Sequence, residues 1–502
     1  MLRYKSMEAM DRKMPGSIDY SDVLPLSVPS QSRRRKFFPV NGGSFNAAST
    51  NEIRIPISST NALLDCEHSY LDFTVTNNNV APAARTLSLD MGGAAMFFSR
   101  VRIEQQGQVL SDTQEYNRLV ASVLNPVSET GGGRLASTIK DQTMAGNLSG
   151  VPNLTPAAVA ARRGDRLALT NHGGGVQLGS GASCRFSMPL ITGLFTQDKL
   201  IPLPLVDKNN PLTICLTLDV VENYGVYSAA VIGAGSIAIN KISYNAQLVE
   251  VGPDVIGQFA TMRDMMGGQL AVSGQDWEHN SAFLAGGAGG GGGERIVQIP
   301  IRKRSIKSLF WVANSSSMAN TGLADIALIY NKSFGGTCNM NSYQLKVGSV
   351  VYPPTAIAGP GASAGAPSQT RRGECLQELV KAMGTLSFAA PSGRCLNTLT
   401  YCGDELSNVG ATTADGDNGV GGAVLASNGN TPTYCAPFAL DLEAFQHTAI
   451  ESGVDSETMA LQTNLIIDVD ATIGAEDKTI HSWTCYDKHY YFNRDGSVTM
   501  SD

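Results

Sequence analysis

From residue 50 onward, apolar and polar positions alternate with a period of two, the mark of strands with one buried face. NEIRIPI places Ile53, Ile55 and Ile57 on one side, and SYLDFTVT repeats the pattern at Leu71, Phe73 and Val75. TLSLD and FSRVRIEQQGQVLSD continue it, with QQGQ as a hairpin turn. The spacing then changes. Tyr116, Leu119, Val120, Val123 and Leu124 share one face of a short helix that Pro126 ends. Residues 128–180 are mixed: a Gly tract at 131–133, a Thr-Pro-Ala-Ala start near 155, then polar loop. Strands return at SCRFSMPL, KLIPLPL, LTICLTLDV and SIAINKISYNAQLVE.

Residues 252–294 interrupt this pattern, and seven of the eight residues 286–293 are Gly. So much Gly is costly to order, which predicts a connector or loop rim. Strands resume at ERIVQIPI, SIKSLFWVAN, LADIALIYN and YQLKVGSVVY. A Pro/Gly/Ala-rich loop (353–370) precedes a helix, ECLQELVKAMG, closed by Gly384. A second loop runs from 403 to 432. TNLIIDVD and SWTCYDKHYYFNRDGSVTM, with a turn at Arg494–Gly496, complete the chain. Each half therefore holds several strands, a hairpin, a short helix, a long loop and more strands. The expected fold is all-β: two β-sandwiches in tandem with a few short helices. The expected divisions are a basic arm (1–40), a first sandwich (41–252), a Gly-rich connector (253–293) and a second sandwich (294–502).

Composition sharpens this. The 502 residues are 42% hydrophobic and 16% charged, enough apolar material for large cores and a charge-poor surface. The net charge of -7 disfavours a chain that coats nucleic acid over its whole surface. Nine widely spaced Cys, with no Cys-x-x-Cys pair, point to reduced thiols and assembly in a reducing compartment. The start carries no secretory pattern, no apolar run is long enough to span a membrane, and Leu2 stands where myristoylation needs Gly.

Residues 1–40 hold eight Lys/Arg and four acids, a local balance of +4. A short helix over 5–14 fits the sequence, and Pro15, Pro25 and Pro29 break longer elements. Arg33, Arg34, Arg35 and Lys36 stand just ahead of the first clear strand pattern, followed by Phe37 and Phe38. The cations suit an anionic lipid, nucleic acid or an acidic neighbour, and the rings suit anchoring under the sandwich. A solvated patch is the plainer alternative.

Four blocks resemble the double jelly-roll major capsid proteins of icosahedral DNA viruses, the lineage of virophages, polinton-like viruses, adenovirus-type hexons and large eukaryotic DNA viruses. They are FFSRVRIEQQGQVLSDTQEYNRLVASVLN (97–125), FSMPLITGLFTQDKLIPLPLVDKNNPLTICLTL (186–218), MNSYQLKVGSVVYPPTAI with ECLQELVKAMG (340–384), and the ending ESGVDSETMALQTNLIIDVD with CYDKHYYFNRDG. The likeness lies in their order across about residues 40–502. It implies that the sandwiches are two tandem eight-stranded jelly rolls, the first over 41–252 and the second over 294–502, and that the chain is a non-enzymatic shell protein without cofactors, located in the virion capsid and assembled inside the host cell. It also implies homotrimers of pseudo-hexagonal outline that meet neighbouring capsomers, penton and minor capsid proteins. The loops around 353–372 and 403–432 would face outward. Arg33, Arg34, Arg35, Lys36, Phe37 and Phe38 would contact an inner membrane or packaged DNA. The alternatives are a carbohydrate-binding or carbohydrate-active β-sandwich and another virion component such as a penton protein.

Candidate chemistry is sparse. His481, Cys485, Asp487 and His489 would share one strand face, so a metal is stereochemically conceivable, although the surrounding aromatics favour packing. Asp415 and Asp417 lack the closing Glu of a calcium loop. Cys66 and His68 are a coincidental pairing in a strand. The Gly tracts lack the Lys-Ser/Thr of a phosphate loop. No catalytic, cofactor or metal residue is assigned.

Overall fold

A computed structural model describes residues 30–79, 87–89, 93–124, 180–196, 199–227, 234–285, 292–315, 332, 340–359, 372–383, 437–444, 453–457, 462–469 and 478–501. The first half contributes β1 (Ser30–Phe37), β2 (Ser44–Phe45), β3 (Glu52–Ile57), β4 (Ala62–Asn77), β5 (Leu87–Leu89) and β6 (Phe98–Gln105). It continues with β7 (Gln108–Gln114), β8 (Ser183–Met188), β9 (Leu212–Leu218), β10 (Gly225–Tyr227) and β11 (Ile237–Val251). The second half contributes β12 (Gln269–Leu284), β13 (Gly293–Ile299), β14 (Ile306–Ser315), β15 (Met340–Val347) and β16 (Val350–Ala358). It ends with β17 (Phe438–Asp441), β18 (Thr463–Val469), β19 (Lys478–Asn493) and β20 (Val498–Ser501).

The sheets are β1-β11-β4-β8 and β3-β9-β6-β7 in the first half, and β12-β19-β14-β17 and β13-β18-β15-β16 in the second. Leaving aside the short β2, β5, β10 and β20, each half has eight principal strands among the described residues. Numbered within its own half, each gives one sheet ordered 1-8-3-6 and another ordered 2-7-4-5. The first strand pairs with the last, and the second with the seventh, so the chain wraps as a jelly roll twice over. A helix stands between the fifth and sixth strands of both halves: residues 116–124 in the first, Arg372–Met383 in the second.

The period of two does the packing. β3 alternates, burying Ile53, Ile55 and Ile57, and β18 buries every second residue along its length. Facing sheets fill the first core with Phe73, Phe97, Phe98 and Phe186, whose ring centroids lie 5.3–5.8 Å apart. In the second core Trp311 stacks on Phe438 at 4.6 Å and meets Tyr343 edge-on.

Two segments differ from the sequence expectation in the same way. Residues 30–37, expected in an arm, form the first strand of the first jelly roll and pair with β11 from Ser30↔Val251 to Phe37↔Tyr244. Residues 269–284, expected in a connector, form the first strand of the second and pair along their whole length with β19. Both are edge strands, so backbone pairing on one side holds them and little apolar alternation is needed. The helix Pro253–Met265 also falls in the expected connector; no side chain in it is buried, so it lacks an apolar stripe to read. Its Pro at the first turn begins it where an amide would be unpaired anyway. The helix expected over 5–14 and most of the loops 353–372 and 403–432 lie outside the described residues. Residues 353–358 belong to β16.

Candidate assembly surface and the junction between sandwiches

β1 carries the basic quartet, and residues 30–36 are exposed on both faces. Arg33 pairs with Glu250 at 3.2 Å. Arg34 donates to Tyr70 Oη at 3.0 Å. The Arg35 guanidinium lies 5.0 Å from the Phe37 ring centroid. Lys36 is 3.9 Å from Asp72, which also binds Arg185 through a two-point contact; the Arg185 hydrogen bond holds the Asp72 carboxyl below its ordinary range. Each cation thus has a partner within the first sandwich. The two Phe part company: Phe37 is buried, while Phe38 is 61% exposed. Neighbours on an extended chain point to opposite sides, so only one of them can enter the core.

The two sandwiches meet where β7 lies against β12, through side chains rather than a backbone ladder. Ser111 on β7 donates to Asp276 on β12 at 2.8 Å. Lys488 on β19 reaches the other oxygen of that carboxylate at 3.0 Å, and both ion-pair side chains are almost fully buried. The Gly193 amide donates to Ser111 Oγ at 3.1 Å, and Thr196 Oγ1 donates to the Gln275 carbonyl at 3.3 Å. Gln105 closes one end: its amide NH2 donates to the Gly496 carbonyl at 2.8 Å and its oxygen accepts from the Val498 amide at 2.5 Å. Buried polar groups need such partners.

Nearer the middle of β19, Trp483 donates to the Gln114 carbonyl at 3.4 Å. His279 and His481 stack beside it, with ring nitrogens 3.2 Å apart. Burial, with the Arg118 cation acting in the same direction, holds His279 at about 4 and His481 at about 2. Glu115 binds Lys332 at 2.7 Å; despite its burial, the Lys332 and Arg118 charges hold it at about 2. The His279–His481 pair is therefore neutral at pH 7, packed rather than charged.

The candidate chemistry disperses. His481 turns to His279, Asp487 accepts from Ser305 at 2.8 Å and lies 3.4 Å from Lys307, and His489 meets Ser273 at 3.0 Å. Burial pushes the Cys485 thiol well above its ordinary value. Among the described residues no three His, Cys, Asp or Glu side chains are gathered as a metal site. His68 turns to Asp65 at 2.9 Å, and burial pushes the Cys66 thiol up. Asp415 and Asp417 lie outside the described residues. The sequence reading missed the Ser111–Asp276–Lys488 network because its members are 165 and 212 residues apart and share no local pattern.

No family model and no curated protein matches the chain. Solved structures do. PBCV-1 VP54, fitted into a cryo-EM reconstruction of the virophage Sputnik, aligns with a TM-score of 0.57 at 10% identity, covering 96% of this chain and 99% of the other. A chain of the Sputnik virophage structure gives 0.55 at 10% identity, covering 98% and 92%. The Faustovirus major capsid protein gives 0.52 at 9% identity, covering 96% and 93%. The likeness spans both sandwiches at an identity too low to speak for more than architecture, and with the repeated strand order it establishes that this chain is built as a double jelly roll.

Proposed function

We propose that this chain is the major capsid protein of an icosahedral virus. Three copies form a pseudo-hexameric capsomer, and capsomers tile the virion shell together with penton and minor capsid proteins. The observation that carries this reading is the doubled 1-8-3-6/2-7-4-5 strand order along a chain that matches capsid proteins over nearly its whole length. The role is structural: the buried ionic groups of the junction are spent on one another. A glycan-binding sandwich would offer exposed aromatic platforms, yet all three Trp are buried.

Light scattering on the purified chain tests the reading. A capsomer of three 53.0 kDa chains has a mass of 159 kDa. A species that stays at 53.0 kDa at micromolar concentration under assembly salt contradicts it.

A further inference from the structure

Lys307 on β14 sits in a buried cluster to which assembly gives no role. Ile306 pairs with Tyr486 and Ser308 with Cys485, so the β14–β19 register slips at Lys307, and a bulge of this kind re-aims a side chain. Its ammonium lies 2.8 Å from Glu443 Oε1 and 3.4 Å from Asp487 Oδ1. Glu443 follows β17, whose end is tied to this spot by the Leu442 amide, which donates to the Lys307 carbonyl at 2.8 Å. Asp487, on β19, accepts from Ser305 Oγ through Oδ2 at 2.8 Å. The Lys307, Glu443 and Asp487 side chains are only 9%, 2% and 15% exposed, so little water reaches them. One buried amine thus faces two carboxylates, where an ion pair needs one.

We infer that the Lys307 amine and the Asp487 carboxyl condense into an amide that staples β14 to β19, with Glu443 carrying the protons. Lys307 Nζ gives a proton to Glu443, and the free amine attacks Asp487 Cγ. The Nζ–Cγ bond forms and the Cγ–Oδ1 bond breaks. Two protons pass from the nitrogen to Oδ1 through Glu443, one water leaves, and Glu443 ends as the carboxylate it began. The Ser305 hydroxyl steadies Oδ2 while the carbon is tetrahedral, and Glu443 then accepts the one remaining N–H. Burial disfavours the Lys307 ammonium, but the Glu443 hydrogen bond and the Asp487 charge outweigh it and hold the amine above its ordinary range. Loss of that proton is therefore the slow step, in a reaction each chain performs once between groups already in contact. Lys332 also meets two carboxylates, Glu115 at 2.7 Å and Asp219 at 3.3 Å. There, however, Asn117, Asn223 and the Val220 amide already donate to both oxygens of Asp219, so neither is placed to leave.

Intact-mass spectrometry of the full-length chain tests this, after days of incubation at physiological temperature and with a cooperative melt showing that each sample is folded. The expected mass is one water below that of the sequence. Digestion should yield a pair of peptides joined through Lys307 and Asp487, and the denatured chain, now looped, should migrate faster on a gel. Lys307→Arg keeps the charge and cannot condense, so it should hold the full mass. Glu443→Gln keeps an acceptor beside the amine but cannot carry its proton, and should slow the loss of water about a hundredfold. A folded parent chain that keeps its full mass overturns the inference. So does a water lost elsewhere, in an aspartyl succinimide or between Lys332 and Asp219. A Glu443→Gln chain that loses water as fast as the parent overturns the role given to Glu443.

Discussion

Gly193 lies at the junction between the two sandwiches. A Cβ there would collide with Tyr490 Oη and stand 2.7 Å from Asp276 Cγ, and a Cβ on Gly274 would stand 2.9 Å from the Gly193 carbonyl oxygen. Gly193→Ala should therefore cost about 1–3 kcal/mol, the usual range for overpacking, read as a lower denaturant midpoint with an unchanged slope. Asp276 and Lys488 make the opposite test. Asp276→Leu alone strands a buried ammonium and should cost about 3–5 kcal/mol, while Asp276→Leu with Lys488→Met should recover most of that loss in the same melt. A double variant as unstable as the single would show that the pair matters for more than charge balance. The His279–His481 stack sets a pH dependence. Both are held below 6.5 in the folded chain, so the unfolded chain binds protons first as pH falls. Their contribution is complete above pH 6.5 and drains away as pH falls, down to about 4 for His279 and about 2 for His481, at most about 1.4 kcal/mol per pH unit for each ring. Glu115 adds to the loss only below 4.5, so His279→Phe with His481→Phe should flatten the stability curve between pH 6.5 and 4.5.

At the scale of elements, the strands whose apolar residues alternate were legible in sequence: β3, β4, the β6–β7 hairpin, β18 and the tyrosine-rich β19. So were the two helices between fifth and sixth strands, because Tyr116, Leu119 and Val123, like Cys375 and Leu379, recur at helical spacing and all are buried. β1 and β12 were not, for an edge strand is held by backbone pairing and SQSRRRKF has one buried side chain in eight. Of the candidate surface, the quartet was visible as charge, but its strand and its partners were not. Glu250, Tyr70 and Asp72 come from β11 and β4, far along the chain. Hydrogen exchange should follow the same division. β4, β11 and β19, paired on both sides, should exchange slowest. In the unassembled chain β1 should exchange at least about tenfold faster than β11, and in the capsomer that gap should narrow. An equally protected β1 in the monomer would mean that something within the chain already covers its free edge.

For the whole molecule, the capsomer proposed above would have three fused chains supply six sandwiches, so that half of the junctions of such a ring would already be present within each chain. The formal charge of -7 per chain gives -21 for three, a repulsion between free capsomers that salt screens as they are brought together. Particle yield should accordingly rise with ionic strength up to about 0.15 M, followed by sedimentation; yield that falls steeply over that range would place attraction between opposite charges at the contacts instead. The central claim is tested most directly by electron cryomicroscopy of the assembled particles. The account predicts a shell of pseudo-hexagonal capsomers, each with density for six upright sandwiches from three chains. Capsomers of one or two chains, or particles in which this chain is absent from the shell, would contradict it.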